Sequence, residues 1–202
     1  MDTEAKFSSE VVRFLRRKLV ASQWRGTLAC DERVKILKDF TIGRTQGRWR
    51  LIAGFQQQDI VLYAPCQSIQ MTEFSSRALR INKYDKTKQK PVIIPLLICE
   101  LKIGVKTNTH ALITYGSISA QLKSIFPHCA YHFVMDSNRE RGMKPETVLR
   151  HSKGFDRVFL NWHEEKSKVW KAVENHFKYL EEYGLLPDKK NQSQPLRSAK
   201  VS

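Results

Sequence analysis

The sequence predicts an α/β protein with a mixed central β-sheet flanked by helices, and three observations favour this fold class. Apolar residues recur at helical spacing near the start of the chain and predict an amphipathic helix over residues 4–21: Phe7, Val11, Leu15 and Leu19. Residues 96–105 form a strongly apolar run that is typical of a buried strand. Helical and strand patterns then alternate along the rest of the chain, as expected for a sheet covered by helices.

The remaining elements follow in order. Two short strands are predicted over 48–55 and 59–64, separated by three glutamines, and weaker alternating stretches cover 68–74 and 77–84. A helix over 109–126, which Gly116 is expected to kink or divide, precedes a strand over 130–136. A short helix begins at Pro145, a strand covers 156–162, and a capping box of Asn161 and Glu164 starts the last helix. Gly184 and Pro187 end that helix. We expect one domain over 1–187 and a disordered tail over 188–202.

The apolar strand carries polar groups on one face only. Its odd-numbered positions from Leu97 to Val105 are all apolar, whereas its even-numbered positions change from apolar residues to Glu100 and Lys102. Because strand side chains alternate between the two faces of a sheet, one face is expected to be buried throughout. The other face is expected to open to solvent where Glu100 and Lys102 emerge. The strand is expected to begin after Pro95, because proline fits poorly in a central ladder.

The chain is strongly basic, with 35 Lys and Arg against 20 Asp and Glu among 202 residues and a formal net charge of +15. Such an excess favours a polyanionic partner, and nucleic acid is the usual one. No apolar run approaches the ~18 residues of a membrane span, and the first residues do not form a secretory signal. Four widely spaced cysteines without a CxxC pair do not indicate zinc or a disulfide framework. We therefore expect a cytoplasmic protein with no membrane partner.

The chemistry is predicted where two strands meet. Asp59 opens one predicted strand, and Glu100 and Lys102 leave the same side of another. If the strands are neighbours, two carboxylates face each other beside an ammonium group. Hard oxygen ligands of this kind hold Mg²⁺, which takes its other ligands from water and phosphate. Such an ion would polarise the phosphoryl oxygen and lower the pKa of a bound water, and Lys102 would orient that water or stabilise the developing charge.

The pattern Asp59 … Glu100-Leu101-Lys102 resembles the PD-(D/E)XK signature of restriction-endonuclease-like nucleases. The resemblance covers roughly residues 49–136 and implies a Mg²⁺-dependent phosphodiesterase, with Mn²⁺ as a substitute. It implies that Asp59 and Glu100 are the metal ligands, that Lys102 lies beside the attacking water, and that Glu10 on the first helix is an auxiliary acid. Gln58 stands where the signature has proline.

Other interpretations of these residues stay open. Glu100 and Lys102 are also compatible with an exposed ion pair worth well under ~1 kcal/mol. Asp59 is compatible with a turn cap. Asp31 and Asp39 are alternative first acids, although they precede weaker strand signals. The six histidines show no metalloprotease-like spacing, and structural roles are expected for them.

Basic clusters predict where nucleic acid lies. Two polar, basic loops, 41–50 and 137–144, flank the proposed acidic strands and are expected to track phosphates or read bases. The predicted DNA-contacting residues are Arg44, Gln46, Arg48, Arg50, Lys106, Asn138, Arg139, Arg141 and Lys144.

The function predicted from these observations is a type II restriction endonuclease that cuts double-stranded DNA with Mg²⁺ and acts as a homodimer. The dimer is implied by the resemblance. The rival interpretations are a basic DNA- or RNA-binding protein without catalysis, a repair or junction-resolving nuclease of the same fold, and a basic structural or protein-interaction protein.

Overall fold

A computed structural model describes residues 3–45, 48–69, 79–81, 92–103, 108–136 and 144–187. Six strands in these ranges form one mixed sheet in the order β1-β2-β4-β5-β6, with β3 paired to β2. The strands are β1 Ala29–Thr45, β2 Arg48–Ile69, β3 Leu79–Ile81, β4 Val92–Ile103, β5 Ala130–Asp136 and β6 Arg157–Phe159. β4 is central, because it runs antiparallel to β2 and parallel to β5. The predicted fold class is confirmed.

Four helices cover the two faces of this sheet: α1 Thr3–Val20, α2 Thr109–Ile125, α3 Pro145–Arg150 and α4 Trp162–Glu182. α1 and α4 pack on the face that carries the odd-numbered residues of β4, including Leu97, Cys99 and Leu101. α2 packs on the opposite face, where Ile98 and Tyr131 meet Leu122. α3 joins α2 there, because Val148 and Leu112 contact Phe133 and Met135 of β5. None of the helices in the described ranges is both long and apolar enough to cross a membrane.

The first two strands are longer than the sequence patterns predict. Gln56, Gln57 and Gln58 do not separate two strands, since they lie within β2 and pair with Ile36, Lys35 and Val34 of β1. β1 was not predicted as a continuous strand, because its polar residues obscure the alternation of apolar and polar positions. The basic stretch 41–50, expected to be a flexible loop, has its described residues in the paired ends of these two strands.

Pro95 also differs from expectation, because it lies inside β4 rather than before it. It stands opposite Tyr63 where the β2–β4 register shifts on both sides. The pairing of β4 with β5 begins only at Leu97. A proline is tolerated at such an irregularity, because no regular ladder hydrogen bond is required of its nitrogen.

Two further details correct the predicted helices. α2 is continuous across Gly116. Gly116 instead allows close packing, because the backbone at Gly154 is so near that a Cβ on Gly154 would overlap the backbone of Gly116. At the start of α4, the Asn161 side chain accepts from the His163 amide as expected. The carboxylate that caps the start of the helix in return belongs to Glu165 and not to Glu164. It accepts hydrogen bonds from the backbone amides of Leu160 and Asn161 at 2.7 and 3.1 Å.

Candidate active site

The candidate site lies where β2 and β4 part. Ile60 and Cys99 are the last paired residues of these strands at this end, which leaves the backbone amide of Leu101 without a ladder partner. The Asp59 carboxylate takes that place, because its Oδ2 accepts from Leu101 N at 2.8 Å. A side chain of β2 thus replaces a backbone carbonyl, and this hydrogen bond fixes the Asp59 carboxylate beside Glu100.

The Lys102 ammonium joins the two acids. Lys102 Nζ lies 2.6 Å from Glu100 Oε1 and 3.8 Å from Asp59 Oδ2. It also donates to the Leu101 carbonyl at 2.9 Å. The sequence prediction that Asp59, Glu100 and Lys102 come together on neighbouring strands therefore agrees with their positions in the structure.

Glu100 is not exposed, contrary to the expectation that its face of the strand opens to solvent. It is only 3% exposed because α2 lies over this part of the sheet. Burial raises the pKa of Glu100 to about 7, with a further contribution from the Asp59 carboxylate. Lys102 and a hydrogen bond from Tyr115 of α2 oppose that rise. The Glu100 carboxyl is therefore balanced between its two protonation states near neutral pH.

Lys102 is held as a cation. Burial alone would lower its pKa, but the attraction and hydrogen bond of Glu100, with the charge of Asp59, raise it above its ordinary value. Its ammonium also lies 4.4 Å from the centre of the Tyr115 ring, where a cation–π contact favours the charged form. A buried ion pair of this kind is sensitive to the loss of either partner, because the remaining charge is then uncompensated.

Three residues around the acids were not predicted from the sequence. The Tyr131 hydroxyl lies 2.9 Å from Gln58 Oε1 and 3.4 Å from Glu100 Oε2, so β5 and β2 both support Glu100. Gln58 is 1% exposed, and its Nε2 has no hydrogen-bond partner within the described ranges. Tyr115 completes the group from α2. The one feature of the sequence that could have indicated any of these three residues was the position of Gln58, directly before Asp59 in the chain.

The backbone of β1 is irregular opposite Asp59. Arg33 has a positive φ of 56° and lies between Glu32 and Val34, which pair with Ile60 and Gln58. A non-glycine residue in this region costs on the order of 1 kcal/mol. The strain is located beside the proposed acid, where such outliers often accompany functional sites.

The structure does not bring Glu10 to this group. Its Oε1 accepts from Trp162 Nε1 and Lys166 Nζ, both at 2.9 Å. Burial raises the pKa of Glu10, but these two hydrogen bonds outweigh that effect, and the net shift is downward. Trp162 belongs to the core on the α1 and α4 side of the sheet, opposite to Glu100. Glu10 therefore joins α1 to α4 instead of serving as an auxiliary acid.

The alternative first acids lie elsewhere. Asp31 is bound by Arg16 at 2.7 Å and by the Tyr63 hydroxyl at 2.6 Å. Asp39 is beside Lys38, at 3.7 Å, and packs over Gly54 of β2. Neither residue has a contact with Glu100 or Lys102 among those in the described ranges, and Asp59 is the acid that meets them.

The predicted DNA-contacting residues are spread over several parts of the chain. Arg44 and the pair Arg48 and Arg50 occupy the paired ends of β1 and β2. Lys144 is exposed at the start of α3. Five of these predicted residues lie outside the described ranges: Gln46, Lys106, Asn138, Arg139 and Arg141.

The donor set of the site fits a small divalent cation. In the described ranges no three His, Cys, Asp or Glu side chains converge as a ready-made metal cluster. Mg²⁺ does not require one, because it binds through one or two carboxylates and takes its remaining ligands from water and phosphate. Lys102 Nζ already shows that a cation can stand in contact with Glu100 and close to Asp59. Asp59 and Glu100 are the residues that would hold the metal.

Comparisons with known proteins give a distant likeness to a solved structure. No protein-family model matches the chain, and no curated protein matches it. A solved structure of the native BbvCI A2B2 tetramer is similar to it with a TM-score of 0.39 and 15% sequence identity. That similarity covers 69% of this chain but only 47%, about half, of the BbvCI chain. Because the TM-score is below 0.5, the function must be inferred from the site itself.

Glu100 gives the site a testable pH dependence. Since its folded-state pKa of about 7 lies above its ordinary value of 4.5, Glu100 stabilises the protein at low pH and loses this effect as pH rises through 7. We expect the unfolding free energy of the wild type, relative to Glu100→Gln, to fall by about 2 kcal/mol between pH 5 and pH 8. Urea denaturation of both proteins in EDTA measures this difference.

The comparison with the variant is necessary because His132 contributes with the opposite sign. Its buried ring has a pKa lowered to about 3, so its stabilising effect grows as pH rises toward the ordinary value of 6.5. That effect is present in both proteins and cancels in the difference. A difference that stays constant from pH 5 to pH 8 would contradict the raised pKa of Glu100.

Proposed function

We propose that this protein is a Mg²⁺-dependent endodeoxyribonuclease of the restriction-endonuclease-like type. The observation that carries the proposal is the meeting of Asp59, Glu100 and Lys102 where β2 and β4 part. Two carboxylates and one ammonium that meet where two strands part are groups suited to phosphodiester hydrolysis with a divalent metal.

Asp59 and Glu100 would hold the ion from two different strands. A bound Mg²⁺ supplies Lewis-acid polarisation of the phosphoryl oxygen and neutralises charge on the phosphate. The hydrogen bond from Leu101 N orients Asp59. Tyr131 and Tyr115 orient Glu100 from β5 and α2. The carboxylates are thus arranged before the substrate arrives, which reduces the reorganisation that the reaction requires.

Lys102 has an electrostatic part in this proposal. In the metal-free protein its raised pKa keeps it protonated at physiological pH. In the metal-free protein its single positive charge is shared between Glu100, at 2.6 Å, and Asp59, at 3.8 Å. With a divalent ion held by those carboxylates, the Lys102 ammonium would be available to the phosphodiester. There it can orient water or stabilise developing negative charge.

Double-stranded DNA is the proposed substrate. The net charge of +15 favours a polyanion over any small anionic substrate. The paired ends of β1 and β2, which include Arg44, Arg48 and Arg50, extend from the site. Arg50 lies about 30 Å along β2 from Asp59, comparable with one turn of B-DNA. A hairpin of that length can follow the duplex away from the cleaved bond, which supports recognition of a specific sequence.

A homodimer is proposed because a duplex has two strands to cut. The described part of each chain offers one such group of acids, and cutting both strands of a duplex at a symmetric sequence requires two. Base reading by the stretches 41–50 and 137–144 is included in the proposal of a sequence-specific homodimer.

Cleavage of plasmid and phage DNA tests the assignment. We expect discrete fragments with Mg²⁺ or Mn²⁺, and none with EDTA. Asp59→Asn should reduce the rate at least ~100-fold, because it removes a carboxylate that holds the ion. The matched control is Asp39→Asn, which changes another acid of the β1–β2 pair without touching Lys102. Its activity should stay within about twofold of the wild type.

Other outcomes of this experiment separate the rival functions. DNA that stays intact but is retarded in a gel at low salt would contradict catalysis and favour a binding protein. Cleavage confined to branched or damaged duplexes would favour a repair or junction-resolving nuclease. Cleavage of RNA alone would contradict the choice of DNA.

Lys102 is expected to contribute to catalysis without being required for metal binding. We expect Lys102→Met to lose cleavage at least ~100-fold. Its Mn²⁺ affinity at pH 9 should equal or exceed that of the wild type, because no ammonium competes for Glu100 and Asp59. Isothermal titration calorimetry measures that affinity, and Lys38→Met is a control for the loss of a surface cation. Loss of Mn²⁺ binding as complete as in Asp59→Asn would contradict this division of roles.

A further inference from the structure

A pocket of about 690 Å³ lies beside the edge strand β6, on the α4 side of the sheet. Its walls are the C-terminal end of α2 with the chain that leads into β5, the first residues of β5 and β6, and the outer face of α4. We call it the β6 pocket. Its volume falls within the range of sites that bind small molecules.

The β6 pocket has an excess of positive charge. Four of its lining side chains are cationic, against the single carboxylate of Asp156: Lys123, Arg157, Lys168 and Lys171. Asp156 is paired with Lys123 at 2.7 Å. Arg157 and Lys171 are exposed and have no ion-pair partner in the part of the chain that the structure describes. Two uncompensated cations that line one pocket attract an anion.

A buried polar group of the pocket also lacks a partner. His132 of β5 is 2% exposed, and its Nδ1 has no hydrogen-bond partner in the described ranges. A buried polar atom without a partner destabilises the fold. Because burial, with repulsion from His176, lowers the pKa of His132 to about 3, its ring is neutral at physiological pH. In a neutral ring Nδ1 is either a donor or an acceptor, according to the tautomer.

Aromatic side chains form the neighbouring wall. His176 and Tyr179 of α4 stack with their ring centres 6.1 Å apart and their planes at 21°. Tyr179 also packs against Tyr183, with ring centres 4.7 Å apart, but it is 41% exposed, so part of its ring is available for contact. Flat aromatic surface next to cations is what a nucleobase attached to a phosphate requires.

We propose that the β6 pocket binds a nucleoside monophosphate group, either as a free nucleotide or as the phosphorylated end of a nucleic acid strand. Arg157 and Lys171 contact the phosphate. The guanidinium of Arg157 is suited to two parallel hydrogen bonds with phosphate oxygens. Tyr179 stacks on the base.

This site is separate from the candidate active site. His132 pairs with Cys99 in the β4–β5 register, and Cys99 faces α1 and α4. Glu100, the next residue of β4, faces α2 because strand side chains alternate. A ligand in the β6 pocket is therefore on the other face of the sheet from the bond that the proposed nuclease cuts. The inference goes beyond the proposed function and does not depend on it.

Calorimetric titration in EDTA at 150 mM salt tests the proposal, with 2′-deoxyadenosine 5′-monophosphate, inorganic phosphate and deoxyadenosine as probes. The nucleotide is expected to bind, phosphate more weakly, and the nucleoside not at all. Arg157→Gln and Lys171→Gln should each weaken nucleotide binding at least ~10-fold. The matched control is Lys178→Gln, on the same helix but paired with Glu174 at 3.6 Å and outside the pocket. It should bind within twofold of the wild type.

Additional variants sharpen the interpretation. Tyr179→Leu should weaken the nucleotide and leave inorganic phosphate unchanged. Asp59→Asn should bind the nucleotide as the wild type does, so a failure of the nuclease proposal does not affect this result. Competition by a 5′-phosphorylated dinucleotide but not by its 5′-hydroxyl form identifies a strand end as the source. Competition by mononucleotides alone identifies a free nucleotide.

Two results would overturn the proposal. One is the absence of nucleotide binding by the wild type. The other is equal weakening in Arg157→Gln, Lys171→Gln and Lys178→Gln, because that would show attraction to the general surface charge rather than to this pocket.

Discussion

The neutralisation of Glu100 by Lys102 is the interaction on which the candidate site depends. Glu100 lies under α2 with its charge removed from water, and Lys102 Nζ at 2.6 Å is the cation nearest to it in the described ranges. The same ammonium is close enough to Asp59 to moderate the repulsion between the two acids. Two acids that are stabilised by a cation between them are suited to exchange that cation for a metal ion.

The sheet brings these charges together through its connectivity. β2 and β4 run antiparallel and stop pairing with each other after Ile60 and Cys99. Beyond that point the Asp59 side chain accepts from the backbone amide of Leu101 in β4. On the other side, parallel pairing with β5 places Tyr131 near Glu100. The active-site proposal thus depends on three adjacent strands, while the β6 pocket occupies the outer edge of the same sheet on its opposite face.

Much of this arrangement could be predicted from the sequence, because alternation along β4 marks both its buried face and its two polar residues. The meeting of Asp59 with Glu100 followed from supposing that their strands are neighbours.

The burial of Glu100 could not be predicted, since it depends on where α2 lies across the sheet. The same limit applies to Glu10, whose partners Trp162 and Lys166 lie on α4, far along the chain. The three glutamines of β2 were misleading because their polarity suggests a loop, whereas pairing with β1 keeps them in a strand.

The most direct test of the central claim is the location of Mn²⁺ by anomalous scattering in crystals of the wild-type protein at pH 8. The account predicts a peak within about 2.5 Å of carboxylate oxygens from both Asp59 and Glu100, with Lys102 displaced from between them. A peak at other residues, or none beside Glu100 while Lys102 still neutralises it, would contradict the account.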